Sequence, residues 1–140
     1  MSPERGTYWD PLRRKEVAAT PEEQVRQWFI GILERQCNVP RHQMMSEVQM
    51  RFGTKPWRAD ILVYDHRQQP LAIVECKRET QPLDAGVMEQ ALRYHAVQKA
   101  PYVFLTNGAA TCAFLRGPQG FSPLDHLPDY EEMNAATQPQ

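Results

Sequence analysis

The sequence predicts an α/β fold with a central mixed β-sheet flanked by helices, and three observations carry that assignment. The segments ADILVYD and PLAIVECK are apolar on both side-chain parities, the pattern of strands covered on both faces. A capped amphipathic segment, TPEEQVRQWFIGILERQ, precedes them, and a second helical pattern, LDAGVMEQALRYHAVQKA, follows. Two further apolar runs, YVFLTNG and TCAFLRG, close the series. The order therefore reads helix, three strands, helix, then at least two strands, or α-β-β-β-α-β at its core.

In chain order, residues 1–16 are polar, basic and Pro-containing, and are expected to form a flexible arm ahead of a domain over 17–130. The first helix is expected to start at Thr20, an N-cap followed by Pro21 at the first helical position and Glu23 as the capping-box acid. Val25, Phe29 and Ile32, with Trp28 and Leu33, make its broad apolar face. SEVQMRF alternates weakly and runs into GTKP, a strand ending in a turn. The two central strands are expected to pair as a hairpin with Asp65 opposite Pro70. The second helix is expected from about 84 to 98, with Val87, Ala91, Tyr94 and Val97 near helical spacing, Leu83 before and Pro101 just after. Asn107-Gly108 begins the connection between the last two strands. Residues 131–140 are expected to be a disordered tail.

The chain has 140 residues, enough for one domain with its own core. It is 41% hydrophobic and 24% charged, with 12 Pro and 7 Gly. It has no apolar run near the ~20 residues a membrane span needs, and it opens without a basic and then apolar leader. A cytoplasmic protein with no membrane partner is the expectation. Cys37, Cys76 and Cys112 are odd in number and far apart, which excludes a disulfide framework or zinc ribbon. The net charge of −1 excludes a generally basic nucleic-acid coat, so DNA contacts must come from local groups. Candidates are Arg58, Arg78 and Arg93, with LRRK at 12–15 and Lys99.

The central strands carry charges that burial makes costly, on the order of several kcal/mol each unless compensated. In the expected register Asp60 faces Glu75 and Arg58 faces Lys77, with directly opposed side chains on one face of the sheet. Two close carboxylates need a cation or a shared proton. Mg²⁺ commonly takes one or two carboxylates, the remainder being water and phosphate oxygens, and Mn²⁺ is a substitute. The backbone carbonyl of Cys76 is a further candidate oxygen. Lys77 shares the face of Glu75 by strand alternation and suits charge stabilisation or activation of a water at a phosphoryl centre. An ion-pair network of Asp60, Glu75 and Lys77 that only stabilises the sheet fits the same spacing.

The pair RAD…VECK resembles the D…E-x-K signature of the PD-(D/E)xK phosphodiesterase superfamily. DPLRRKEVAATPEEQVRQWFI, RADILVYD, LAIVECKRE, EQALRYHAVQKAPYVFLTNG and LDHLPDY resemble the N-terminal nuclease domain of type I restriction enzyme R subunits (HsdR). The resemblance covers about residues 10–130 and implies a restriction-endonuclease-like core. It implies Asp60 and Glu75 as metal ligands, Lys77 as the catalytic lysine, and Gln90 and Tyr94 as the Q-x-x-x-Y pair beside the active site. Four residues apart, these last two share a helix face. An acid on the first helix is also implied. Glu22 and Glu23 compete for that role, and Glu22 is preferred because Glu23 is accounted for by the cap. Ala59 stands where the motif has proline. No G-x-x-x-x-G-K-[ST] loop is present, so no ATP-driven motor is expected within this chain.

The expected function is a Mg²⁺-dependent, endonuclease-type DNA phosphodiesterase, alone or with a protein partner or second copy. The alternative is a nuclease-fold module that binds nucleic acid or assembles with a partner and cuts weakly or not at all. A cysteine hydrolase using Cys76 or Cys112 with His95 is disfavoured, because Cys76 alternates away from Glu75 and Cys112 has no acid or base nearby in sequence.

Overall fold

The computed structural model describes residues 6–137. The chain opens with a two-stranded antiparallel hairpin, β1 (Thr7–Asp10) and β2 (Lys15–Ala18). Residues 6–16 are thus ordered structure and not the expected arm, with residues 1–5 outside the described residues. Polar composition misled here because the hairpin is held by a buried charge: Asp10 is 0% exposed and bonds Arg13.

Helix α1 spans Pro21–Arg35, and the Thr20 side chain accepts from Glu23 N–H at 3.1 Å. Only that half of the capping box forms. The Glu23 carboxylate is turned into an ion network and does not close back on the cap. Val25, Phe29, Ile30 and Leu33 are buried. Trp28 is 41% exposed and Ile32 half-buried, so the buried stripe is narrower than the sequence suggested.

A six-stranded sheet follows in the order β3 (Met44–Phe52), β4 (Lys55–Tyr64), β5 (Pro70–Cys76), β6 (Tyr102–Thr106), β7 (Thr111–Gly117), β8 (Gly120–Pro123). Only β5 and β6 run parallel, so the sheet is mixed as expected. Helix α2 (Ala85–His95) is the crossover between them, capped by Asp84, which accepts from Val87 N–H at 2.9 Å. It ends three residues early. Tyr94 and Val97 are exposed while Ala91 and His95 are buried, so the inward side of α2 carries a histidine outside the apolar spacing read from sequence.

Helix α3 (Tyr130–Ala136) occupies part of the expected tail. Tyr130 and Met133 are buried in the cluster that contains Phe29, Ile61 and Val63. α1 and α3 therefore cover one sheet face. Leu62, Ile73 and Val103 face the other side, with Leu92 of α2 packed against them. Each fully buried Leu, Ile or Phe contributes about 2 kcal/mol, and coverage of both faces explains the apolar runs on both parities.

Candidate active site

The expected β4–β5 register holds in the strand body, where Ile61 faces Val74, Leu62 faces Ile73 and Val63 faces Ala72. It fails at both ends. A bulge at Val63/Tyr64 brings Tyr64, not Asp65, opposite Pro70. The ladder also stops before Asp60 and Glu75, which do not form a backbone pair. Asp60 Oδ2 instead accepts from Cys76 N–H at 2.6 Å, so the acid occupies the place a ladder carbonyl would take.

Asp60 can do this because the pleat is interrupted there. Trp57 and Ala59 pack with Leu62 on the α2 side, whereas Ile61 and Val63 pack on the α1 side. Residues 59 and 61 would share a face in a regular strand. The β3–β4 pairing likewise skips one step, Glu47 and Asp60, between Ser46↔Ile61 and Val48↔Ala59. Glu47 lies in the left-handed region at φ 56, a conformation costing ~1 kcal/mol or more outside glycine. Irregularities of this kind re-aim side chains at sites. Here the two carboxylates are not opposed on one flat face. Asp60 turns toward α1 and Glu75 toward α2, and both line one cleft over the end of the β4–β5 pair.

The cleft measures about 910 Å³ and is walled by the β1–β2 hairpin, α1, α2 and the strand ends. Arg26 Nη2 donates to Asp60 Oδ1 at 3.1 Å. Burial raises the Asp60 pKa above its ordinary value, outweighing the Cys76 N–H and Arg26, and the negative charge of Glu75 adds to the rise. Glu75 receives His95 Nε2 at 2.8 Å and Lys77 Nζ at 2.7 Å, one on each oxygen. Burial raises its pKa too, but these two partners outweigh it and hold the carboxyl down at about 2. The Glu75 carboxylate in turn raises the Lys77 pKa, so Lys77 is a protonated donor.

Sequence reasoning missed a chain of alternating charges behind Asp60. Arg26, 5% exposed, also donates to Glu23 Oε1 at 3.0 Å. Arg13 Nη2 reaches both Glu23 oxygens at 2.8 Å, and Arg13 Nη1 lies 3.2 Å from Glu47. The available signal was Arg26 itself, three residues after Glu23 and before Phe29 on the buried side of α1. Glu22, the acid preferred from sequence, is exposed and lines the cleft, while Glu23 is buried in this network.

Gln90 and Tyr94 both line the cleft, and Tyr94 Oη accepts from Arg58 N–H at 3.0 Å, tying α2 to β4. His95 beside them is buried between Glu75 and Trp57. Of the cations proposed for nucleic acid, Arg58 lines the cleft, as do Arg13 and Lys15 of LRRK. Arg78 and Arg93 are exposed beyond its lining, and Arg93 sits 3.5 Å from Glu89. Cys76 is buried, which pushes its thiol well above the ordinary range, so a thiolate nucleophile is disfavoured there.

Among the described residues no three Asp, Glu, His or Cys side chains converge as a ligand set. A cation here would take two carboxylates from the protein, a number suited to Mg²⁺ or Mn²⁺. The four hydrogen bonds on Asp60 and Glu75 use one lone pair of each oxygen and leave another for a hard ion. The donor set fits on that ground. No helix among the described residues is long and apolar enough to cross a membrane.

Among solved structures, a fragment assigned as an HsdR subunit of a type I restriction enzyme from Vibrio vulnificus YJ016 is 22% identical over 80% of this chain, with a TM-score of 0.59. The DrdV–DNA complex is 18% identical over 84%, at a TM-score of 0.49. A protein assigned as a nuclease from Anabaena variabilis ATCC 29413 is 11% identical over 94% of this chain and 91% of its own, also at 0.49. This chain spans only 24% of the first structure and 11% of the second. No curated protein matches it. The first likeness shows a shared fold, and the family model for the type I restriction enzyme R protein N terminus (HSDR_N) matches residues 21–128. That span covers α1, the strands bearing Asp60 and Glu75, Lys77 just past β5, and the helix bearing Gln90 and Tyr94, and the chain belongs to this family of nuclease-like domains.

Proposed function

We propose that this domain hydrolyses DNA phosphodiester bonds with Mg²⁺, or Mn²⁺ in its place, held by Asp60 and Glu75. The observation that carries the reading is the meeting of Asp60, Glu75 and a protonated Lys77 in one polar cleft where the β4–β5 pairing stops. When bound, the cation supplies Lewis acidity to a phosphoryl oxygen. The Cys76 carbonyl and Glu22 are the remaining candidate oxygens.

Lys77, paired with Glu75 at 2.7 Å, donates to the phosphoryl oxygens as negative charge grows on them. Tyr94 braces β4 through Arg58 N–H, and Gln90, one turn earlier on α2, offers an amide to the substrate. Arg58 is a cleft cation for backbone phosphates, with Lys15 also lining the cleft and Arg78 and Arg93 extending the contact.

One observation favours a second reading, a nuclease fold that binds nucleic acid or a partner without cutting. All four carboxylate oxygens already accept from Arg26, Cys76, His95 and Lys77. A supercoiled plasmid incubated with Mg²⁺ or Mn²⁺, with and without EDTA, separates the two. Nicks with ligatable 5′-phosphate and 3′-hydroxyl ends that disappear with EDTA support the enzyme. Binding of the plasmid without nicking supports the module, and nicking that survives EDTA contradicts the metal.

A further inference from the structure

Glu75 sits near the end of β5, and one of its two partners is an α2 side chain that is itself held by a buried ring of β4. Trp57 is 2% exposed and His95 1%. Indole N–H can only donate, so the 3.1 Å contact from Trp57 Nε1 to His95 Nδ1 requires that Nδ1 carry no proton. The imidazole proton is then on Nε2, which donates to Glu75 Oε1 at 2.8 Å.

The imidazole has little freedom to leave this pose. The Trp57 and His95 rings meet edge to face at 5.7 Å and 87°, and the Tyr94 ring packs on His95 at 4.9 Å and 83°. A ligand carboxylate held by an outer hydrogen-bond donor is pre-oriented, and loss of such donors typically costs 10- to 100-fold in metal affinity.

We propose that Trp57 and His95 form a fixed donor relay that aims Glu75 into the cleft, with His95 as the positioning residue for that carboxylate. The functional half of this inference rests on the reading of Glu75 as a cation ligand. A histidine buried only for packing would need some acceptor for its N–H, but its hydrogen bond would have no bearing on cation binding. The two roles therefore separate by measurement.

Three measurements on the full chain test the relay: imidazole tautomer by ¹⁵N NMR, Mn²⁺ affinity by calorimetry, and folding by thermal unfolding. In the wild type His95 is expected wholly in the Nε2–H form, with a mixture of forms in Trp57→Phe. His95→Gln, whose amide N–H reaches the same place as Nε2–H, is expected to keep Mn²⁺ affinity within about threefold, while His95→Leu loses about 10- to 100-fold. A protonated Nδ1 in the wild type overturns the relay, as does Leu binding as tightly as wild type or Gln as weakly as Leu. Should His95→Leu fail to fold, the tautomer shift in Trp57→Phe and the Gln affinity decide the matter. A wild type that binds no Mn²⁺ removes the metal reading of Glu75, and the tautomer result then decides the relay by itself.

Discussion

Asp60 accepts the backbone N–H of Cys76 at 2.6 Å, so one candidate ligand is fixed by the strand that carries the other. The carboxylate fills a gap in the ladder, which makes its position a property of the backbone as well as of its ion pair with Arg26. It is nonetheless held against its own solvation, since burial raises its pKa.

Unequal effects of neutralising the two acids follow from that difference. At pH 7 the ionised Asp60 costs stability and the ionised Glu75 contributes it, because their folded-state pKa values move in opposite directions. Asp60→Asn keeps an oxygen for Cys76 N–H but turns its NH2 toward Arg26 Nη2, so relief of the buried charge is offset by the lost ion pair and stability is expected to fall by less than in Glu75→Gln. Glu75→Gln is expected to lower it by about 1–3 kcal/mol, the range for breaking a charge-assisted hydrogen bond. Urea unfolding of both variants at pH 7 checks the order.

The same shifts set an acid dependence. Glu75 is lowered from its ordinary 4.5 to about 2, so its contribution is full above pH 4.5 and is lost as pH falls from there toward 2. Asp60 acts the other way: its cost appears as pH rises through its ordinary 3.8 toward the raised folded value. Unfolding midpoints measured between pH 2 and 6 are expected to show a steeper acid loss in wild type than in Glu75→Gln. Identical profiles would contradict the assignment.

The charge chain from the hairpin to Asp60 is expected to be structural. Arg13→Met leaves Glu23 buried beside Arg26 with one cation fewer, and Arg26→Met leaves both Glu23 and Asp60 short of a donor. Each is expected to cost about 3 kcal/mol, the magnitude for removing one partner of a buried pair. Limited proteolysis should then cut Arg13→Met within residues 6–18 first, since Arg13 joins that hairpin to α1 and β3.

Gln90 is exposed on the cleft, so Gln90→Ala is expected within about 0.5 kcal/mol of wild type in stability. Tyr94→Phe loses the acceptor for Arg58 N–H, about 1 kcal/mol. Both should slow plasmid nicking by more than their stability changes explain, and equal nicking rates would remove the pair from the site.

Much of this was legible in the sequence because it rests on local chemistry. The Thr20 cap, the two-faced runs of β4 and β5, and the Asn107 turn before β7 follow from neighbouring residues. The interrupted pleat at Asp60 was not legible, since period-2 alternation extrapolated through it gives one shared face. Charges held by tertiary partners were read wrongly for the same reason. Arg13 and Glu23 look like surface residues until Asp10, Arg26 and Glu47 are brought around them. His95 entered the sequence reading only as the base of a disfavoured cysteine hydrolase, because its partners lie on β4 and β5.

The central claim is that Asp60, Glu75 and Lys77 act together on a phosphodiester. Its most direct test is the rate of Mg²⁺-dependent plasmid nicking by wild type, Asp60→Asn and Lys77→Met, each first shown to be folded. Both variants are expected to lose at least about 100-fold, the scale for removing one transition-state donor or ligand. Nicking by either at the wild-type rate would contradict the account.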